Sequence, residues 1–147
     1  MPMQWVVIAD KSRARIFQRQ GNLDELVEVD DLLNPQGRQD EAELRHDAKG
    51  RFYGKGERYQ AHTAEPKMNQ EQHAADRFSR EVMQYIEHAS DENRFESLVM
   101  IASPEFLGLL RRQLSKRIEG KIRKQLSTDI TALKPLEIHD YLKKHLN

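Results

Sequence analysis

Two apolar periods run along the chain, and they predict different elements. Trp5-Val6-Val7-Ile8-Ala9 is a short β-branched run closed by Asp10-Lys11-Ser12, the pattern of a strand entering a tight turn. Residues 13–19 read as the returning strand, with Ala14 and Ile16 facing one way and Arg13 and Arg15 the other. Gln20-Gly21-Asn22 supplies a second turn, because Gly and Asn tolerate positive φ. Residues 26–33 complete a three-stranded meander, with Val27 and Val29 opposite Glu28 and Asp30.

After Asn34-Pro35 no period returns until about Met68. From Asn69 the apolar residues Ala75, Phe78, Val82, Tyr85, Ile86 and Ala89 recur at three and four positions, which predicts one face of a long helix ending near Asp91. Residues 95–103 follow, and their core Leu98-Val99-Met100-Ile101-Ala102 is apolar on both faces, as a central strand requires. Ser103-Pro104-Glu105 has the chemistry of a helix start. The helix it opens presents Phe106, Leu107, Leu110 and Leu114, reaches toward Ile118 and stops at Gly120. Residues 121–127 read as an edge strand with Ile122 and Leu126 on its apolar side, and Pro135 opens a last helix with Leu136, Ile138, Tyr141, Leu142 and His145 on its stripe. The order is βββαβαβα. It predicts an α/β fold: a mixed β-sheet with a three-stranded meander and helices on its faces, compatible with an RNase H-like sheet.

The stretch without a period, about 34–67, is too long for an ordinary connection and predicts a long mobile basic loop within a single domain spanning 1–147. Between Arg45 and His62 it carries Arg45, Lys49, Arg51, Lys55 and Arg58 against Asp47 and Glu57, a local excess of five minus two, or +3. Cations of this kind hold phosphates, Phe52, Tyr53 and Tyr59 can stack on unpaired bases, and glycines such as Gly50 let the backbone come close to a ligand. A solvated insertion with no partner fits the same composition equally well. A second basic cluster, Arg111, Arg112, Lys116, Arg117, Lys121, Arg123 and Lys124, falls on the helix after Pro104 and on the strand that follows. Of these, Arg111, Arg112, Lys116 and Arg123 are the candidate secondary RNA contacts, although a solvated helix face accounts for much of the cluster.

Composition narrows the chemistry. The 147 residues hold 24 Lys plus Arg and 24 Asp plus Glu, so any polyanion contact must be local. With no cysteine there is no disulfide, thiolate zinc site or thiol nucleophile. The six histidines show no metal-binding spacing, and no cofactor is expected. A two-metal nuclease needs converging carboxylates. Asp10 has no acidic neighbour at the end of residues 95–103, so it reads as a turn residue. No serine sits in a nucleophile elbow, and no glycine pattern follows a strand into a helix as a phosphate-cradling loop does. The N-terminus carries neither a basic leader nor a membrane-length apolar run, so a cytoplasmic location without a membrane partner is expected.

The segments 5–17, 32–52, 75–86, 98–114 and 127–131 together resemble the bacterial family named for a protein required for attachment to host cells. That family is similar to the middle domain of archaeal and eukaryotic peptide-chain release factors. The resemblance implies an RNase H-like sheet and a loop after the third strand aimed at RNA, with Asp47, Gly50 and Arg51 matching the family's loop motif. It does not extend to catalysis, because Ala48–Gln60 lacks Gly-Gly-Gln and Gln60 follows Tyr59. The expected function is non-enzymatic association with RNA or the ribosome through Arg45, Asp47, Lys49, Gly50, Arg51, Phe52, Tyr53, Lys55 and Arg58. One alternative is a hydrolase of an RNA-linked ester using His46 or Gln60. Another is a protein-interaction module acting on attachment indirectly.

Overall fold

The computed structural model describes residues 2–20, 25–36 and 54–146, and within the first helix the side chains from Gln70 onward. Its elements are β1 (Met3–Ala9), β2 (Arg13–Gln20), β3 (Val27–Leu33), α1 (Gly54–Asp91), β4 (Ser97–Ala102), α2 (Pro104–Arg112), α3 (Lys116–Glu119), β5 (Ile122–Ser127) and α4 (Pro135–Leu146). The five strands make one open sheet in the order β3-β2-β1-β4-β5. β1 pairs antiparallel with β2 and β2 with β3, whereas β1–β4 and β4–β5 are parallel. The fold is therefore mixed α/β, with the expected meander and with β5 at an edge.

β1 and β4 lie at the centre because their side chains are apolar in both directions. Trp5, Val7 and Ala9 join Leu98, Met100 and Ala102 on one face, with Phe78, Val82 and Ile86 of α1 and Phe106, Leu107 and Leu110 of α2 above them. Val6, Ile8, Val99 and Ile101 point the opposite way and meet Ile138 and Leu142 of α4. Apolar burial on both sides makes these strands the most stable part of the sheet.

Several expectations need correction. α1 begins at Gly54 rather than near Asn69, so residues 54–67 of the anticipated loop are helical backbone, while 37–53 lie outside the described residues. Among its described side chains the first buried one is Ala74, and Ala75 is only half-buried. The helix ends where its period ends: Asn93 turns into the left-handed region at φ 58°, and Arg94 N–H reaches back to Ala89 O. The predicted helix from Ser103 to Ile118 is two, α2 and α3, adding one element to the expected order. Ser103 precedes α2 without a side-chain cap, and the capping serine is Ser115, whose Oγ accepts from Ile118 N–H at 3.2 Å. Leu136 points to solvent, at 77% exposed, because α4 buries only Ile138 and Leu142 against the sheet. The alternation of β3 breaks where Ile16 pairs with Asp30 and Phe17 with Glu28, leaving Val29 as the extra residue of a bulge and Val27 exposed.

Candidate functional site

The β5 edge gathers cations from four elements. Within β5 the register slips so that Leu98 pairs with Ile122 and Val99 with Lys124, which leaves Arg123 as the residue out of register. Arg123 and Lys124 are both exposed. Lys124 Nζ donates to His145 O at 2.9 Å, which places the end of α4, with Lys143 and Lys144, beside this strand. From the opposite face Arg111 Nε donates to Gln125 Oε1 at 2.6 Å, bringing the last turn of α2 and Arg112 to the same strand. Lys116 follows, exposed at the start of α3. Among the described residues, none of Arg111, Arg112, Lys116, Arg123, Lys124, Lys143 or Lys144 forms an ion pair with a carboxylate.

Two other members of the sequence cluster are tied to neighbouring side chains, Arg117 at the surface and Lys121 in a half-buried place. Arg117 bridges Glu87 at 2.6 Å and Asp91 at 2.5 Å, tying α3 to α1. These hydrogen bonds, with Glu87 first, raise the Arg117 pKa, while Ser115 and then Arg117 hold the Glu87 carboxyl below its ordinary value. Lys121 donates to Ser90 Oγ at 2.6 Å and stands over the Phe95 ring at 5.2 Å. The structure thus separates structural cations from available ones. Sequence reasoning missed Lys143 and Lys144, whose signal is their place in the last turn of α4.

The loop candidates stand differently. Arg45, Asp47, Lys49, Gly50, Arg51, Phe52 and Tyr53 lie outside the described residues, as does His46. Lys55, Arg58 and Gln60 lie on the backbone of α1 near its start.

At the carboxyl end of β1, Asp10 is a turn residue as expected: its Oδ1 accepts from Ser12 N–H at 2.8 Å and Arg13 N–H at 3.0 Å. It also meets an acid that reading along the chain does not reveal. The Thr131 hydroxyl stands 3.0 Å from Asp10 Oδ2 and 2.8 Å from Asp129 Oδ1. Beside it Arg15, which alternates with Ala14 and Ile16 along β2, is buried. Its guanidinium donates to both Glu28 oxygens at 3.0 Å, to Thr131 O at 3.0 Å and to Leu133 O at 2.6 Å. Among the described residues no three His, Asp or Glu side chains converge as a metal site. No helix among them is long and apolar enough to cross a membrane.

These features define an α/β domain with an open five-stranded mixed sheet, one edge of which is banded with cations that have no carboxylate partner among the described residues. Residues 5–142 match the family described as "Protein required for attachment to host cells", and the chain belongs to that family. Among curated proteins none matches the chain.

Proposed function

We propose that this domain associates with structured RNA or the ribosome, without chemistry of its own, as a relative of the release-factor middle domain with an RNase H-like sheet. What supports the ancestry is the strand order, in which β2 alone runs against its neighbours. The observation that carries the binding is the β5 band: cations from α2, α3, β5 and α4 without carboxylate partners among the described residues, in a chain whose formal charge is zero. Cations paired to acids cannot exchange counterions for phosphates, whereas these can. In this reading the loop cations Arg45, Lys49, Arg51, Lys55 and Arg58 form the second contact.

Binding to purified ribosomes and to a structured RNA, measured across a salt series, tests the proposal. Each phosphate contact contributes a slope of about −0.7 to −0.9 in log affinity against log salt. The variant Arg111→Ala/Arg112→Ala/Arg123→Ala/Lys124→Ala is expected to flatten that slope by about 2–4 and keep its cooperative unfolding. The variant Arg45→Ala/Lys49→Ala/Arg51→Ala/Lys55→Ala/Arg58→Ala tests the loop in the same way. Affinity and slope unchanged in both variants would overturn the proposal, as would capture of a protein partner that survives RNase treatment while RNA does not bind.

A further inference from the structure

The segment between β5 and α4 is fastened to the sheet by Arg15, by the buried Ile130 and by the Thr131 side chain, and the last of these contacts needs one more proton than a threonine hydroxyl supplies. Thr131 is buried, and its hydroxyl lies between Asp10 Oδ2 at 3.0 Å and Asp129 Oδ1 at 2.8 Å. A hydroxyl has one hydrogen, so it can donate to only one of two ionised carboxylates. With both acids charged, the other contact sets lone pair against lone pair and brings two negative charges together in a half-buried place. From this geometry we infer that Asp10, Thr131 and Asp129 form a proton-dependent clasp. The Asp10 carboxyl donates to Thr131 Oγ1, Thr131 donates to Asp129 Oδ1, and loss of the Asp10 proton loosens the docking of α4.

The surroundings favour this arrangement. Asp129 Oδ1 also accepts from Thr131 N–H at 3.1 Å, so Asp129 is the better acceptor for the hydroxyl hydrogen. Asp10 Oδ1 is occupied by the turn amides of Ser12 and Arg13, which leaves Oδ2 to carry the hydrogen. Among the described residues the nearby cations have their hydrogen bonds elsewhere: Arg13 is held by Asp31 through bonds of 3.0 and 2.7 Å and acts on the Asp10 charge only at a distance, and Arg15 is held by Glu28 and by the carbonyls of Thr131 and Leu133. Lys11 is exposed. Burial raises the Asp10 pKa above its ordinary value, and the Asp129 charge adds to the rise.

The sign follows from linkage. A carboxyl with a raised native pKa binds its proton more tightly folded than unfolded. The clasp is therefore fully made below the ordinary aspartate range and weakens as pH rises through the raised value. α4 feels the change first. Together with the segment before it, this helix covers the second face of the sheet, and Thr131 lies immediately upstream.

Amide hydrogen exchange in α4, expressed as protection factors between pH 4 and pH 8, tests the clasp on the full chain without any RNA. Wild-type protection at Ile138 and Leu142 is expected to fall as pH rises. Asp10→Asn is the decisive variant. Its Oδ1 keeps the turn, and its Nδ2 donates permanently to Thr131 Oγ1 where the carboxyl did so only when protonated. It is expected to abolish the pH dependence and to raise α4 protection at pH 8 to at least the level the wild type shows at pH 4. Thr131→Val removes the bridge and is expected to lower protection at every pH. Wild-type protection that is flat across the range, or an Asp10→Asn variant that follows the wild-type profile, would overturn the inference. Should Asp10→Asn fail to fold, the wild-type profile decides alone.

Discussion

The two faces of the sheet are held by different chemistry. One face is a continuous aromatic and aliphatic core. Trp5 stacks on Phe95 at 5.1 Å and on Tyr85 at 6.0 Å, Phe78 meets Phe106 at 5.8 Å, and α1, α2 and α3 all contribute to it. The other face has Val6, Ile8, Phe17, Val99 and Ile101 under α4 and the segment before it. That segment is held largely by polar contacts, namely the Arg15 guanidinium and the Thr131 bridge. Area and interdigitation secure the first face, and its cohesion survives the loss of any one polar contact. On the second a smaller apolar cluster is joined by directed hydrogen bonds, which are costly to break because Arg15 and Thr131 are themselves buried. One sheet thus carries a side held by apolar area and a side held by apolar area and polar contacts together.

The largest expected effect falls on the first face. Phe78→Ala leaves a cavity between α1 and α2 and is expected to cost about 3–5 kcal/mol, much of the stability of a domain of this size. Leu142→Ala on the second face is expected to cost about 2–5 kcal/mol by the same rule, yet to act differently. Trp5, the sole tryptophan, is buried in the first face and reports on that core alone. In urea, Phe78→Ala should lose fluorescence and far-UV ellipticity together at a lower midpoint. Leu142→Ala should lose part of its ellipticity before the fluorescence changes, as α4 leaves first. Coincident transitions in Leu142→Ala would erase the contrast between the faces.

A smaller effect probes the polar clamp. The Arg15 side chain is 6% exposed and binds a Glu28 side chain that is 28% exposed. Glu28→Ala leaves the guanidinium with two carbonyls and no counter-charge, and is expected to cost about 1.5–3 kcal/mol in chemical denaturation. The double variant Arg15→Met/Glu28→Leu is expected to recover a substantial part of that loss, because an apolar pair carries no desolvation cost. A double variant worse than Glu28→Ala would show that the Thr131 and Leu133 carbonyls, stranded without their donor, dominate the clamp.

The same contrast explains what could be read from the sequence. β1 and β4 were legible because an apolar run in both directions has one comfortable place, the middle of a sheet covered on both sides. Most of the α1 stripe and the edge position of β5 were legible for equally local reasons. Arg15 was not, because alternation with Ala14 and Ile16 says only that it faces the other way, and the carbonyls that bury it are more than a hundred positions along the chain. Asp129 was invisible as a partner of Asp10 for the same reason, although both lie in segments that carry the family resemblance. Part of the cationic band was legible as a run of charge, but which members have no carboxylate partner among the described residues was not. Arg117 and Lys121 differ from Arg123 and Lys124 only in what the fold places beside them.

The smallest prediction separates two serines that look alike in sequence. Ser103 and Ser115 each precede a helix, and the Pro104-Glu105 pair makes Ser103 the better candidate by local chemistry. The structure reverses this. Ser103 enters α2 at φ −56° and ψ 153° with no bond from its side chain to the helix, whereas Ser115 Oγ accepts from Ile118 N–H. Proline at the first position explains the difference: it has no N–H to satisfy, so the start of α2 has one fewer unpaired donor. Ser115→Ala should therefore cost about 1 kcal/mol in thermal unfolding, and it should also remove the hydroxyl hydrogen bond that, ahead of Arg117, holds the Glu87 carboxyl below its ordinary value. Ser103→Ala should change stability by no more than about 0.5 kcal/mol. Equal losses at the two positions would mean that the chain, and not the packing of α3 against α1, selects its cap.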